Sequence, residues 1–311
     1  MKKVSVLIVI IVVLCTTMAS AASAAQSNIQ RVGKADIEVL IDGRKISFPD
    51  ARPFADANNR VLIPIRFIAE GLGAKVDWVG GGAQTVKISL GDKFIQLTVG
   101  HAKALVNNAE KTFDTKAITK SDRTFVPLRF VSEALGQPVE WDSVSSWVWV
   151  GEKKIYTPEE LGLEPESIEK YEELYRGRDH LLKDMYGQNF ETFQVITKDQ
   201  LPIKIGDVVI YDIWLAKDNK NNLGVQIRRA KPSFNIYYVT NNSKPRYRNA
   251  INKSLEVKHN DETITSDYKL KSQVDELDIN DQYYNDFKVS DIEYICFRLD
   301  FNSIVALKNP F

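Results

Sequence analysis

The sequence predicts an α+β protein: tandem, mostly antiparallel sheet units that each carry one short helix, then a helical connector, then a β-rich C-terminal domain built as a sandwich or half-open barrel. Three observations carry this prediction. A nineteen-residue pattern occurs twice at a fixed offset of 63 residues. Short apolar runs joined by Asp-Gly and Gly-Asp turns surround both copies, which is a hairpin signal. After Thr157 the chain changes character, first to a charged stretch of helical spacing and then to short β-prone segments separated by polar turns.

The first element, residues 1–25, reads as a secretory signal. Lys2 and Lys3 precede an apolar run from Val4 to Met18, and small residues follow through Ala24 and Ala25. Positive start, short apolar core and Ala-x-Ala end are the three parts of such a signal. The run falls short of the ~20 apolar residues that span a bilayer. Cleavage near Ala24 or Ala25 is expected to leave a secreted or cell-surface chain; the alternative is an N-terminal membrane anchor. Leu14 before Cys15 disfavours lipoprotein processing. Residues 26–36 read as a linker.

The tandem region spans residues 37–154. Residues 60–78, RVLIPIRFIAEGLGAKVDW, align without a gap to residues 123–141, RTFVPLRFVSEALGQPVEW, with nine of nineteen positions identical. Each copy reads as one unit. An apolar strand runs into Pro64 or Pro127, whose missing N–H costs nothing at a helix start. Ile65, Ile68, Ala69 and Leu72 then form a helical face, matched by Leu128, Val131 and Leu135. Gly73 and Gly136 stop the helices. A strand ending in Trp78 or Trp141 follows, and these tryptophans are expected to pack on the helix. Asp42-Gly43 marks a hairpin between 37–41 and 45–48, Gly91-Asp92 another between 85–90 and 94–99, and Gly80-Gly81-Gly82 a flexible turn. Arg66 and Glu70, like Arg129 and Glu133, lie four apart. Arg before Glu opposes the helix dipole, so each Arg is expected instead to clamp a carbonyl or carboxylate of a neighbouring strand or unit; the alternative is an arginine that binds a ligand.

The copies differ at one place. Allowing one deletion, Thr85-Val86-Lys87-Ile88 aligns with Trp147-Val148-Trp149-Val150, so two polar outward residues have become Trp147 and Trp149. Residues at i and i+2 of a strand share a face. That face is expected to meet the following domain or, alternatively, to be a stacking platform for cell-wall glycan or another apolar partner.

Strand, Pro, Arg-Phe, Glu, Leu-Gly and Trp, in tandem behind a signal sequence, resemble the copper amine oxidase N-terminal domain family, also called the stalk domain. The likeness covers residues 37–152. It implies a structural or binding appendage outside the cell, of the kind common in exported proteins of Gram-positive bacteria. The copper enzymes of that name use three histidines and a tyrosine-derived quinone. This chain has only His101, His180 and His259, far apart and without metal-ligand spacing. No cofactor or metal is expected.

Thr157-Pro158-Glu159-Glu160 reads as a capping box, and the connector over 155–190 as a longer helix carrying Ile168, Tyr171, Leu174, Tyr175, Leu181, Leu182 and Met185. In the β-rich domain, 191–311, strands are expected over 208–215, 225–228, 234–239 and 292–301, with 241–290 a long loop or added hairpin. Cys296 reads as a buried inert thiol, because Cys15 leaves with the signal. The acidic run from Asp275 to Asp281 reads as a solvated loop without calcium-site spacing. Asp207, Tyr211 and Asp212 could do acid–base work, but no spacing singles them out.

Composition narrows the function classes. Lys and Arg balance Asp and Glu at 41 each, and residues 155–311 hold 21 bases against 26 acids, so no basic field argues for nucleic acid. No hydrolase elbow, zinc-protease helix or phosphate loop is present. The expectation is therefore a non-catalytic, exported binding or scaffold protein, with cell-wall glycan or a surface protein as partner. The rival classes are glycan binding through Trp147 and Trp149, and an enzyme with its site in 191–311. N-terminal sequencing of the chain recovered outside a producing cell should read from Ala25 or Gln26; an intact Met1 on the exported chain overturns signal cleavage.

Overall fold

The computed structural model describes residues 29–79, 84–184, 186–230, 232–241, 243–250, 256–299 and 303–311. The expected signal sequence with Cys15, the glycine run at 80–82 and Met185 lie outside the described residues. The described residues hold far more strand than helix, with few, short helices, and the strands form five sheets.

The two copies of the repeat do not fold as separate units in a row. Val61–Pro64 of the first copy pairs antiparallel with Arg123–Pro127 of the second, at the centre of a four-stranded sheet completed by Phe54–Ala55 and Ile118–Lys120. A unit of about 60 residues buries too little surface to be secure alone, and cross-copy pairing gives both copies one core. That core takes Ile63, Ile65, Ile68 and Ile88 from the first copy and Val126, Leu128, Val131 and Leu135 from the second. The helices Ile65–Gly71 and Leu128–Ala134 follow directly on Pro64 and Pro127, which end the strands and cap the helices instead of opening them. Gly73 and Gly136 take φ of +69° and +84°, the left-handed exit that glycine permits. A five-stranded meander, Lys75–Val79, Thr85–Leu90, Lys93–Thr98, Lys103–Val106 and Ala109–Thr112, closes one side.

The C-terminal domain is two six-stranded sheets over one core. One contains Ile203–Ile205, Val208–Lys217, Leu223–Ala230, Val257–Lys258 and Ile264–Lys269, and its outer strand is Gln30–Arg31, paired with Lys217 and Ala216. The expected linker is thus partly a strand of the distant domain. The other sheet contains Glu166–Ser167, Thr192–Ile196, Asn235–Val239, Arg246–Arg248, Tyr294–Arg298 and Ser303–Lys308. The strand expected over 292–301 is therefore Tyr294–Arg298, and Ser303–Lys308 folds back on it. The segment 241–290 is ordered structure in part, including the helix Val274–Ile279.

Among the described residues the expected long connector helix does not form. Glu166–Ser167 pairs with Thr192–Ile196 as a strand, and single 3-10 turns follow at Ile168–Lys170, Glu172–Tyr175 and Asp179–Leu182. Gly177, at φ +73°, interrupts any continuous helix. Ile168, Tyr175 and Leu181 bury against Phe193, Val239 and Cys296, so this segment covers the outside of a sheet. The capping box does form, with Thr157 N–H donating to Glu160 at 3.0 Å and Glu160 N–H to Thr157 at 3.3 Å, but over one 3-10 turn. Among the described residues no helix is long and apolar enough to cross a membrane.

Between the two cores lies one shared wall. Val139–Asp142, Trp147–Val150, Glu38–Ile41 and Arg44–Lys45 form a sheet in which Trp147–Val150 runs parallel to Glu38–Ile41. Strand alternation divides its residues. Val39, Ile41, Val148 and Val150 enter the core of the tandem module. Leu40, Trp147 and Trp149 enter the core of the C-terminal domain, with Ile196, Ile203, Ile213 and Leu307. Gly43 turns the hairpin at φ +85° with the Lys154 carbonyl so close that no Cβ would fit. Replacing Trp147 by Ala should cost about 3–5 kcal/mol of stability in urea titrations; a loss under ~1 kcal/mol would mean the shared wall is not what joins the two cores.

Candidate functional site

Trp147 and Trp149, at 1% and 3% exposure, are closed to any ligand. Their rings lie 6.1 Å apart, and the Lys45 ammonium sits 4.6 Å over Trp147 while donating to the Lys198 carbonyl at 2.9 Å. Burial is the main cause that lowers the Lys45 pKa. The stacking platform expected as an alternative at these two residues is therefore corrected: the face meets the chain's own C-terminal domain. Arg228, 1% exposed, seals the same junction, bonding Asp142, Ser145 and Thr263 and pairing with Asp261. A buried guanidinium needs this many partners to offset lost hydration.

The other motif residues occupy a different place. The strand register pairs Ile63 with Val126, Pro64 with Phe125 and Leu62 with Pro127. Ile63 and Val126 are the same position in the two copies, so a local two-fold axis passes through their pair. Each feature on one side then has its counterpart on the other. Arg123 of the second copy bonds Asp50 of the first at 3.0 Å through Nε, and Arg60 of the first bonds Asp114 of the second. Phe67 meets Phe48 edge-on at 5.4 Å, and Phe130 stacks on Phe113 at 4.3 Å.

The axis relates two open clefts of about 820 and 810 Å³. Pro64, Arg66, Phe67, Glu70 and Trp78 line the first, with Arg123 reaching in from the other copy. Pro127, Arg129, Phe130, Glu133 and Trp141 line the second, with Arg60 reaching in. Trp78 and Trp141 do not bury on the helices as expected. They remain 54% and 42% exposed, because each lies on its strand beyond the turn of helix that covers Val76 or Val139. Nor do the motif arginines clamp a neighbouring strand. Arg66 lies 3.8 Å from Glu70 with both side chains about two-thirds exposed, a solvated pair that adds little stability. Among the described residues Arg129 and Glu133 have no ion pair. The cross-copy role of Arg60 and Arg123 was missed by the sequence reading, although their identity in both copies was the available signal.

Elsewhere polar groups are committed internally. Asp275, expected in a solvated loop, is 2% exposed and holds both Arg246 and Arg248, while Asp278 holds Arg178. The arginines of one sheet need this acidic helix as counter-charge, which composition alone does not reveal. Asp207, Tyr211 and Asp212 do not converge. Asp212 is buried beside Arg31 at 3.8 Å, whereas Tyr211 faces Arg228. Cys296 is buried and accepts from the Tyr175 hydroxyl at 3.3 Å, and burial pushes its thiol up to about 12, as an inert thiol requires. His259 contacts the Thr265 hydroxyl at 2.8 Å, and burial lowers its pKa. Among the described residues no three His, Cys, Asp or Glu side chains gather to hold a metal ion.

Acrylamide quenching separates the two tryptophan sets. The double variant Trp78→Phe/Trp141→Phe should lose most of the quenchable emission while its denaturation midpoint moves by no more than ~0.5 kcal/mol, as for surface sites. Undiminished quenching would place the exposed indoles elsewhere.

No curated protein and no solved structure matches the chain. A family model does, over the segment that contains both copies of the repeat and most of the shared wall and of the two clefts: residues 40–149 match the copper amine oxidase N-terminal domain.

Proposed function

We propose that this is an exported, non-catalytic binding or scaffold protein of the bacterial cell surface, which meets its partner through the tandem module and uses the C-terminal domain as a fixed base. The observation that carries this reading is the division of labour among the repeated residues. Leu135, Pro64, Pro127, Gly73 and Gly136 serve the fold in each copy by burial or by backbone geometry. Arg66, Arg129, Glu70, Glu133, Trp78 and Trp141 serve no core, yet both copies hold them unchanged. Large exposed aromatics beside charged groups mark contact surfaces.

The C-terminal domain supports the reading from the other side. Arg228, Arg229, Arg246 and Arg248 are buried and paired with Asp142, Asp261, Glu256 and Asp275. Groups engaged in such pairs hold sheets and domains together, and their removal is costly. The signal-like residues 1–25 supply the route out of the cell.

Fractionation of a producing Gram-positive culture should place the chain in the medium or the wall fraction, and the purified mature chain should sediment with washed cell envelopes. Recovery in the cytoplasm, or no retention on envelopes, overturns the proposal.

A further inference from the structure

We infer that the two clefts are a matched pair of saccharide sites, each stacking a neutral sugar ring on Trp78 or Trp141 and bonding its hydroxyls through the neighbouring Arg and Glu. This rests on the binding reading above and names the ligand class. Three features of the clefts point the same way.

The first is charge. The ionisable residues lining one cleft are Arg66, Arg123, Glu70 and Asp122, and those lining the other are Arg129, Arg60, Glu133 and Asp114. Each set holds two positive and two negative groups, so the lining of neither cleft carries a net formal charge. A polyanion such as nucleic acid, or an anionic lipid surface, is drawn by clustered Lys and Arg that are not offset in this way. The complementary ligand is uncharged.

The second is hydrogen-bonding chemistry. An arginine only donates and an ionised glutamate only accepts, whereas a hydroxyl does both. Arg66 and Glu70 stand side by side at 3.8 Å on one helix, and Arg129 and Glu133 are their counterparts. A vicinal pair of ring hydroxyls can bridge such a donor and acceptor. The exposed indole next to them offers an apolar face for the C–H side of the same ring. A ligand with hydroxyls at its edge and an apolar face is a pyranose.

The third is number. A two-fold pair of equivalent clefts on one small module matches a partner that repeats, and two weak sites engaged by one polymer add avidity without a new contact. The occupant is therefore a neutral polysaccharide chain. A surface protein is the alternative that the experiment separates.

Calorimetric titration of the mature chain with a soluble N-acetylglucosamine trimer, and with a glucose trimer as a second neutral sugar, should show two equivalent sites per chain for at least one of them. Raising the salt from 50 mM to 500 mM should leave the affinity within twofold. Trp78→Ala and Trp141→Ala should each reduce the stoichiometry from two to one, and the double variant should not bind, with all three variants retaining the wild-type denaturation midpoint. A longer oligomer should bind the wild type at least tenfold more tightly than either single variant. One site, binding undisturbed in the double variant, or a steep salt dependence overturns the inference. So does retention on envelopes that survives glycan digestion and is lost on protease treatment, and that result leaves the binding reading itself standing. A chain that fails to bind envelopes at all overturns both.

Discussion

The strand Trp147–Val150 presents two indoles to one hydrophobic core and two valines to another, and all four side chains are buried. Much of the architecture follows from this. A strand with both faces apolar cannot remain at the surface of a domain, since either face exposed would leave a large unpartnered patch. It must become an internal layer, so the tandem module and the C-terminal sheets are joined through it. Asp142, at the start of the wall, is then carried to Arg228 on the facing sheet, and a buried ion pair forms where a solvated carboxylate would otherwise stand. The strand Gln30–Arg31 strengthens the same connection by pairing with the C-terminal sheet before the chain enters the module.

The duplication gives the module its second constraint. Two copies joined through equivalent strands form a local two-fold arrangement, and each copy then supplies a residue to the other's cleft. Arg60 and Arg123 are held by Asp114 and Asp50 across that axis. Such a pair of clefts exists only when both copies are present, which links the cleft-lining residues to the same cross-copy pairing that builds the core. The symmetry is broken at one strand. Where the first copy carries Thr85 and Lys87 half-exposed, the second carries Trp147 and Trp149 and is covered. One copy thus leaves its sheet half-exposed while the other anchors the molecule, and the second cleft is lined by Val139, Trp141 and Val148 of the same wall that carries Trp147 and Trp149 into the other core.

Local pattern made a good part of this legible. The helix faces Ile65, Ile68 and Ala69, and Leu128, Val131 and Leu135, are buried where their spacing placed them, because a 3.6-residue period depends only on neighbours in the chain. The inward valines of the wall strand were readable for the same reason, with a period of two. The connector misled because Ile168, Tyr171 and Leu174 have helical spacing, yet Tyr171 stacks on Phe193 at 3.9 Å and the preceding residues pair as a strand. Tertiary contact outweighed a weak helical preference, as it often does. Asp275 misled in the same manner, since its arginine partners lie 27 and 29 residues earlier in the chain.

By itself the sequence determined the repeat, its register and, to within a residue, the ends of the two module helices, all of which rest on local chemistry: a proline ring, an apolar period, a glycine at positive φ. It also singled out Trp147 and Trp149 as the place where the copies differ. Only the tertiary structure decided that these two indoles face inward and that Trp78 and Trp141 face outward. Alternation assigns residues to the same or opposite faces of a strand, but which face is covered depends on what another part of the chain lays against it. The strands Ile203–Ile205 and Ser303–Lys308, remote in sequence, supply the core that covers the first pair, and nothing among the described residues covers the second.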